Sequence, residues 1–396
     1  MIENLPNNRI VDNQYAKHVD QKANYLLGQP ISFSCENDDY AAEVKKVLGM
    51  RFMRTLKSAG VECLNAGISW LYPYYNKNGE LAFRVFPGYE IMPFWADAAH
   101  TELDSALRLY PVEVYYGTEK KIVKKVDLFT LEGVTTYIFE NGVLTPDTEK
   151  QAYVKVKDSK GNEQPLNWER FPLIPIKYNP KEVPLIRRGR SLQDAINLLQ
   201  SDFVNNMEED VRNTVLVLKN YDGQDLGEFR RNLTTYGAIK VRTVEGTDGG
   251  VDSLEISVNS ENYKTVLELL KKALIENLRS YDAKDDRLSG TPNQMNIQSM
   301  YCDIDLDANA METELQASFE EILWFVNTYL ANTGKGSYES EDITVIFNRD
   351  ILINESEAID NCSKSVGIIS DETIVAMHPW VDDPAACLLY TSDAAD

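Results

Sequence analysis

The reading of DDRLSGTPNQMNIQSMYCDIDLDANAMETELQASFEEILWFVNTYLANTG, residues 285–334, decides the fold. Its first part, Asp285 to Gln298, is polar and carries Gly290 and Pro292, so it reads as a loop. From about residue 303 to 331 the texture changes, and Ile304, Met311, Leu315, Phe319, Ile322, Leu323, Val326 and Leu330 form one stripe at helical spacing. This predicts a long amphipathic helix, stopped by Asn332-Thr333-Gly334. Asp303, Asp305, Asp307 and Glu314 match the first, third, fifth and twelfth positions of a calcium loop. Ala308, however, stands where the sharp turn needs glycine, so acidic residues favoured by the dipole at a helix N-terminus are the better reading.

Upstream, residues 261–281 carry Tyr263, Val266, Leu267, Leu270, Leu274, Leu278 and Tyr281 in helical register, with Lys264, Lys271, Lys272 and Arg279 among them. Residues 214–258 read as a compact insert: a strand VLVL, a helix DLGEFRRNL, a strand AIKV, a turn from Gly246 to Gly250, and a third strand at about Leu254–Val258. Before the insert a helix begins at Ser191, with Asp194 as a capping partner. One face holds Leu192, Ile196, Leu199, Phe203, Met207 and Val211, and the opposite face holds Asp202, Glu208, Glu209 and Asp210. The pattern is helix, small α/β insert, helix. A connector punctuated by Pro172, Pro175, Pro180 and Pro184 leads into it and ends in Arg187, Arg188 and Arg190, which suit inter-subunit ion pairs with an acidic surface or a phosphate contact.

Nearer the N-terminus, Val11, Tyr15, Val19, Ala23, Leu26 and Leu27 predict an amphipathic helix stopped by Gly28-Gln29-Pro30. Val44, Val47, Leu48, Met53 and Leu56 predict a second helix over 41–58. From Ile68 to Tyr178 the sequence turns to short alternating or aromatic runs, with Asn76-Lys77-Asn78-Gly79 as a hairpin turn. Charges on alternate positions favour an antiparallel sheet with one wet side. A strand at 344–348 and one or two short helices over 355–383 complete an α+β chain.

At 396 residues and 43% hydrophobic content the chain can bury a substantial core. No apolar run approaches the ~18 residues of a membrane span, and the polar MIENLPNNR is no secretion signal, so a soluble protein made in a cytoplasm is expected. Cys35, Cys63, Cys302, Cys362 and Cys387 are scattered, with no C-x-x-C pair, and read as free thiols. His18, His100 and His378 are far apart and read as surface or capping residues. Walker, H-E-x-x-H, G-x-S-x-G and dinucleotide motifs do not occur, so no catalytic residue, metal site or cofactor is assigned. Forty basic against 62 acidic residues give a charge of −22, which repels phosphate backbones at long range. Tight DNA binding is disfavoured, whereas a surface that DNA slides past is not.

Five stretches together resemble the portal proteins of long-tailed, siphovirus-type bacteriophages over nearly the whole chain. They are NNRIVDNQYAKHVDQKANYLLGQPISF (7–33), LVLKNYDGQDLGEFRRNLTTYGAIKV (216–241), residues 289–325 of the opening stretch, VIFNRDILINESEAI (345–359) and GIISDETIVAMHPWVDDP (367–384). The resemblance implies a portal fold: a strand-rich wing at 1–190, stem helices at 191–212 and 260–284, a small α/β clip at 213–259, a tunnel loop at 285–298, a long wing helix and strand at 299–354, and the start of a helical crown at 355–386. Ser289, Gly290, Thr291, Pro292, Asn293, Gln294 and Asn296 would line the channel. Asp202, Glu208, Glu209 and Asp210 would form an acidic stem face, and Arg187, Arg188 and Arg190 would meet a neighbour or DNA. The implied partners are copies of itself in a ring of about twelve, a terminase motor, head–tail adaptor proteins, major capsid and scaffolding proteins, and double-stranded DNA passing without sequence specificity; no membrane is implied. The implied place is the capsid vertex of the virion, reached by assembly in the bacterial host cytoplasm. A head–tail adaptor or minor capsid protein is the alternative, and a capsid-associated enzyme a further one. Family members usually carry a further N-terminal segment. The resemblance is expected to stop at Pro384, and CLLYTSDAAD (387–396) reads as translated sequencing-adapter sequence.

Overall fold

A computed structural model of the chain describes residues 6–157, 163–210, 215–219, 250–254, 260–282, 293–349 and 354–381, together with single positions 225, 227, 231, 235, 387 and 388. Its elements are mixed α+β, and among the described residues every strand pairing between named strands is antiparallel. Two compact units divide the chain: residues 15–189 with 275–396, and residues 1–14 with 190–274.

The larger unit opens with α1 (Gln14–Leu27), β1 (Ser32–Cys35), α2 (Asp38–Val47) and α3 (Met50–Ala66). The single helix expected over 41–58 is two, because the chain breaks at Leu48-Gly49, and the second runs on to Ala66. Asn37 caps α2, its side-chain oxygen accepting from the Tyr40 amide, with Asp38 and Asp39 in the first turn and Lys45 and Lys46 in the last, each sign where the helix dipole favours it. Strands β2 (Ile68–Tyr75) and β3 (Leu81–Phe86) form the expected hairpin. Gly79 takes φ +77°, and the Asn76 side chain accepts from the amides of Asn78 and Glu80.

The strands β4 (Ile91–Trp95), β5 (Leu103–Tyr116), β6 (Glu119–Thr130), β7 (Gly133–Glu140) and β8 (Val143–Pro146) form one sheet in sequence order. β9 (Val154–Lys157) pairs with β10 (Glu163–Leu166), and β11 (Ile174–Lys177) adds to the edge of β2. One face of the five-stranded sheet turns Ile91, Ala106 and Phe129 onto Trp70, Phe86 and Leu173. Met92, Phe94 and Leu109 on alternate positions are exposed, which is the one-sided wetting that the alternation predicts.

Helix α4 (Ile186–Asp210) starts five residues before the expected Ser191, since the Arg187 and Arg188 amides already donate to the Pro184 and Leu185 carbonyls. The arginines therefore lie inside the helix, and Arg190 reaches Asp194 at 3.7 Å. In the smaller unit, β12 (Val215–Lys219) pairs with β13 (Gly250–Leu254), so a strand occupies positions 250–254, ahead of the expected 254–258. The expected helix 225–233 and strand AIKV fall largely outside the described residues. α5 (Ser260–Asn277) faces α4 through Phe203 and Tyr263, whose rings lie 4.9 Å apart, and Asn206 donates to the Tyr263 hydroxyl. Residues 8–12 lie along α4: the Asn8, Ile10 and Asp12 amides donate to Asn205, Ser201 and Asn197. Val11, expected on the α1 stripe, is exposed and outside the helix.

Back in the larger unit, α6 (Gln294–Asn332) is the longest helix and begins nine residues before the predicted 303. Asn293 caps it by accepting from the Asn296 amide, a signal that the polarity of the segment concealed. Ile304, Met311, Leu315, Phe319, Ile322, Val326 and Leu330 of the predicted stripe are buried, and Leu323 at its margin is half-buried. β14 (Ile343–Ile346) pairs with β1 across the length of the chain, and α7 (Glu355–Ser365) and α8 (Asp371–Ala376) follow.

Candidate functional site: an ionic centre beneath the long helix

The buried surface of α1 is wider than its apolar stripe and includes His18, Lys22 and Tyr25 as well as Val19, Ala23 and Leu26. Lys22 is carried into the interior, where Nζ donates to Asp307 Oδ2 at 2.7 Å and to the Arg279 carbonyl at 2.9 Å. Asp307 lies on the facing side of α6; its Oδ2 also accepts from the Tyr178 hydroxyl at 2.7 Å and its Oδ1 from Arg188 at 3.1 Å. Arg279, at φ +49° just past α5, brings a third cation within 4.0 Å. The Lys22 and Asp307 side chains are 4% and 6% exposed, so the pair is out of water.

One carboxylate thus stands among three cations. Burial by itself raises the Asp307 carboxyl, but Lys22, Tyr178 and Arg188 outweigh it and hold the group below its ordinary value. Burial lowers the Lys22 ammonium, aided by the like charges of Arg188 and Arg279 and opposed by Asp307. The Tyr178 hydroxyl is pushed well above its ordinary value by burial and by the adjacent carboxylate. The cavity beside the pair is about 10 Å³, against ~300 Å³ or more for a small-molecule site, so the arrangement fastens elements together and offers a substrate no room.

Farther along α6, Arg349 bonds to Asp305 and to Glu312, the latter at 2.6 Å, while the Tyr25 hydroxyl donates to Asp305 at 3.0 Å. Because α6 begins at Gln294, Asp303, Asp305 and Asp307 stand well inside the helix. For Asp305 and Asp307 the expected stabilisation by the helix N-terminus gives way to ion pairing, while Asp303 is exposed. Among the described residues no group of three His, Cys, Asp or Glu is placed to hold a metal ion. His18 is fully buried, contrary to its reading as a surface residue, and desolvation lowers its imidazole. His100 Nδ1 donates to the Glu182 carboxylate at 3.0 Å, and its ring stacks on Trp95.

The other expected positions are dispersed. Arg188 alone of the three arginines joins the ionic centre; Arg190 serves its own helix. Asp202 and Glu208 are exposed on α4, and the side chains of Glu209 and Asp210 lie outside the described residues. In the same unit Asp12 pairs with Lys271 at 2.9 Å, which accounts for one of the cations on α5 within the chain itself. Ser289, Gly290, Thr291 and Pro292 lie outside the described residues; Asn293 is the cap of α6, and Gln294 and Asn296 belong to its first turn. The ionic centre was missed by sequence reasoning because Lys22 and Asp307 are 285 positions apart and each interrupts an apolar pattern. Among the described residues no helix is long and apolar enough to cross a membrane.

Residues 1–393 match the family described as phage portal protein, SPP1 Gp6-like, a match that runs past Pro384, where the resemblance was expected to stop. The chain is 30% identical over 382 residues to the portal protein of Bacillus phage SPP1, covering 96% of this chain and 74% of that one. It is 27% identical over 388 residues to the portal protein of Clostridium phage phiCD119, covering 95% of this chain and 82% of the relative.

Proposed function

This chain belongs to the SPP1 Gp6-like family of phage portal proteins, and from that premise we propose how its parts serve the role. A portal is a structural, non-enzymatic component of the virion at a capsid vertex. In our reading, about a dozen copies close into a ring in the host cytoplasm, engage a terminase motor, capsid and scaffolding proteins, and later head–tail adaptors, and let double-stranded DNA pass through the centre. Residues 1–190 and 299–354 act as the wing, 191–212 and 260–284 as the stem, 213–259 as the clip, and 355–386 as the start of the crown. The segment 285–298 faces the channel, with Asn293 at its base as the cap of α6 and Gln294 and Asn296 on that helix's first turn. Asp202, Glu208, Glu209 and Asp210 keep the stem from gripping phosphate, since like charge repels it.

One observation carries the reading. On the stem helices Leu198 and Leu269 are 63% and 62% exposed, and Met207 and Val266 are nearly half exposed. Large apolar side chains left in water on both helices of an acidic protein support their use in association with another copy. Mass photometry and negative-stain microscopy test it: the wild-type chain should give rings with a central hole. Leu198→Glu with Leu269→Glu should abolish them while changing stability by only about 0.5 kcal/mol, because both side chains are mostly in water among the described residues. A wild-type chain that stays monomeric at micromolar concentration overturns the ring.

A further inference from the structure

A groove of about 910 Å³ opens where the start of α3 meets β3, within the larger unit. Its wall carries Lys46, Arg51, Arg54, Arg84 and Lys335 against the single carboxylate of Glu80, among the described lining residues. Lys46 and Lys335 share Glu43, at 3.6 and 3.0 Å. Arg51, Arg54 and Arg84 are exposed and have no carboxylate partner among the described residues. Arg84 lies over the Tyr74 ring, 4.9 Å from its centroid, and Phe52 and Phe83 meet edge to face at 5.1 Å on the floor. In a chain with 22 more acidic than basic residues, three arginines gathered round one concavity, with no carboxylate partner among the described residues, are a local reversal of the molecular field.

Rotational assembly gives that reversal a use. A closed ring of more than two copies joins two different surfaces of the chain at every interface, so a basic face on one side meets whatever the next copy presents on the other. Of the charged residues the chain can present, 62 are acidic against 40 basic. We infer that the groove receives a carboxylate-rich surface of a neighbouring copy, with Arg51, Arg54 and Arg84 as its anchors. The planar guanidinium suits this role because it holds a carboxylate through two parallel hydrogen bonds. The inference rests on the ring reading above and adds to it the surface that closes the ring.

Two measurements test it on the whole chain. Ring populations are followed by mass photometry between about 0.1 and 1 M salt, over which the Debye length falls from ~10 to ~3 Å. The wild type should lose rings toward high salt, whereas Arg51→Glu/Arg54→Glu/Arg84→Glu should lack them even at the low end. The corresponding triple glutamine variant, whose melting should match the wild type, should fall between. Carbodiimide coupling of rings mixed from light- and heavy-nitrogen chains should join Lys46 or Lys335 to a carboxylate of the other isotope. Rings that form in both variants as they do in the wild type, or couplings confined to one chain, overturn the inference and leave the ring standing. Loss of duplex DNA retention with intact rings overturns it in favour of a phosphate site. A monomeric wild type sinks the ring and this interface together.

Discussion

Gly67→Ala is expected to destabilise the larger unit by about 3 kcal/mol, combining a left-handed backbone with a steric conflict. Gly67 ends α3 at φ +88°, its amide donating to the Cys63 carbonyl and its own carbonyl accepting from the Tyr178 amide. A Cβ built there would sit 2.0 Å from the Glu182 carbonyl oxygen and 3.1 Å from the Pro184 nitrogen. The facing backbone has little freedom to retreat. Asn179 accepts from the amides of Lys181 and Val183 and donates to the Val183 carbonyl, Leu185 donates to Leu64, and the Glu182 carboxylate is held by Lys177 and His100. Gly79→Ala is the control: its φ is +77° but nothing lies within 4 Å, so it should cost only the ~1 kcal/mol of the conformation. Denaturant midpoints followed by tryptophan fluorescence measure both. Equal losses at the two glycines would refute the steric argument.

Much of the architecture was legible because it follows from local rules. The α6 stripe, the Asn76–Gly79 hairpin and the one-sided wetting of the five-stranded sheet each need only a period or a turn propensity. Failures cluster where a long-range partner decides. The pairing of β1 with β14 joins Ser32–Cys35 to Ile343–Ile346, and no periodicity reports it. The start of α6 was placed too late because Asn293 and Asn296 were counted as polar loop, although the first is a cap. His18 reads as a surface or capping residue by type, yet α1 is covered on that side by residues around 279–281 and by α6, which also take in Lys22. The family resemblance reached the function without any of this, because its marks are whole stretches and not a chemical motif.

Asp307→Asn is expected to cost about 3–5 kcal/mol, since it strands the Lys22 ammonium in the interior beside Arg188 and Arg279 with no neutralising charge. Lys22→Met should cost far less, on the order of 1–2 kcal/mol, because Asp307 keeps the Arg188 guanidinium and the Tyr178 hydroxyl. The asymmetry follows from one carboxylate serving three cations, and a simple two-member ion pair would not produce it. Its pH dependence has a definite sign. A carboxyl held below its ordinary 3.8 in the folded state contributes stability that is fully present above that value and is lost as pH falls through the lower folded value. The gap between wild type and Asp307→Asn should therefore be level from neutral pH to about 5 and narrow only below about 4. Urea midpoints for both variants at pH 7, 5 and 3 supply the comparison. If Lys22→Met proves as damaging as Asp307→Asn, or if the gap closes already between pH 7 and 5, then Asp307 is not the charge that makes this interior tolerable for Lys22.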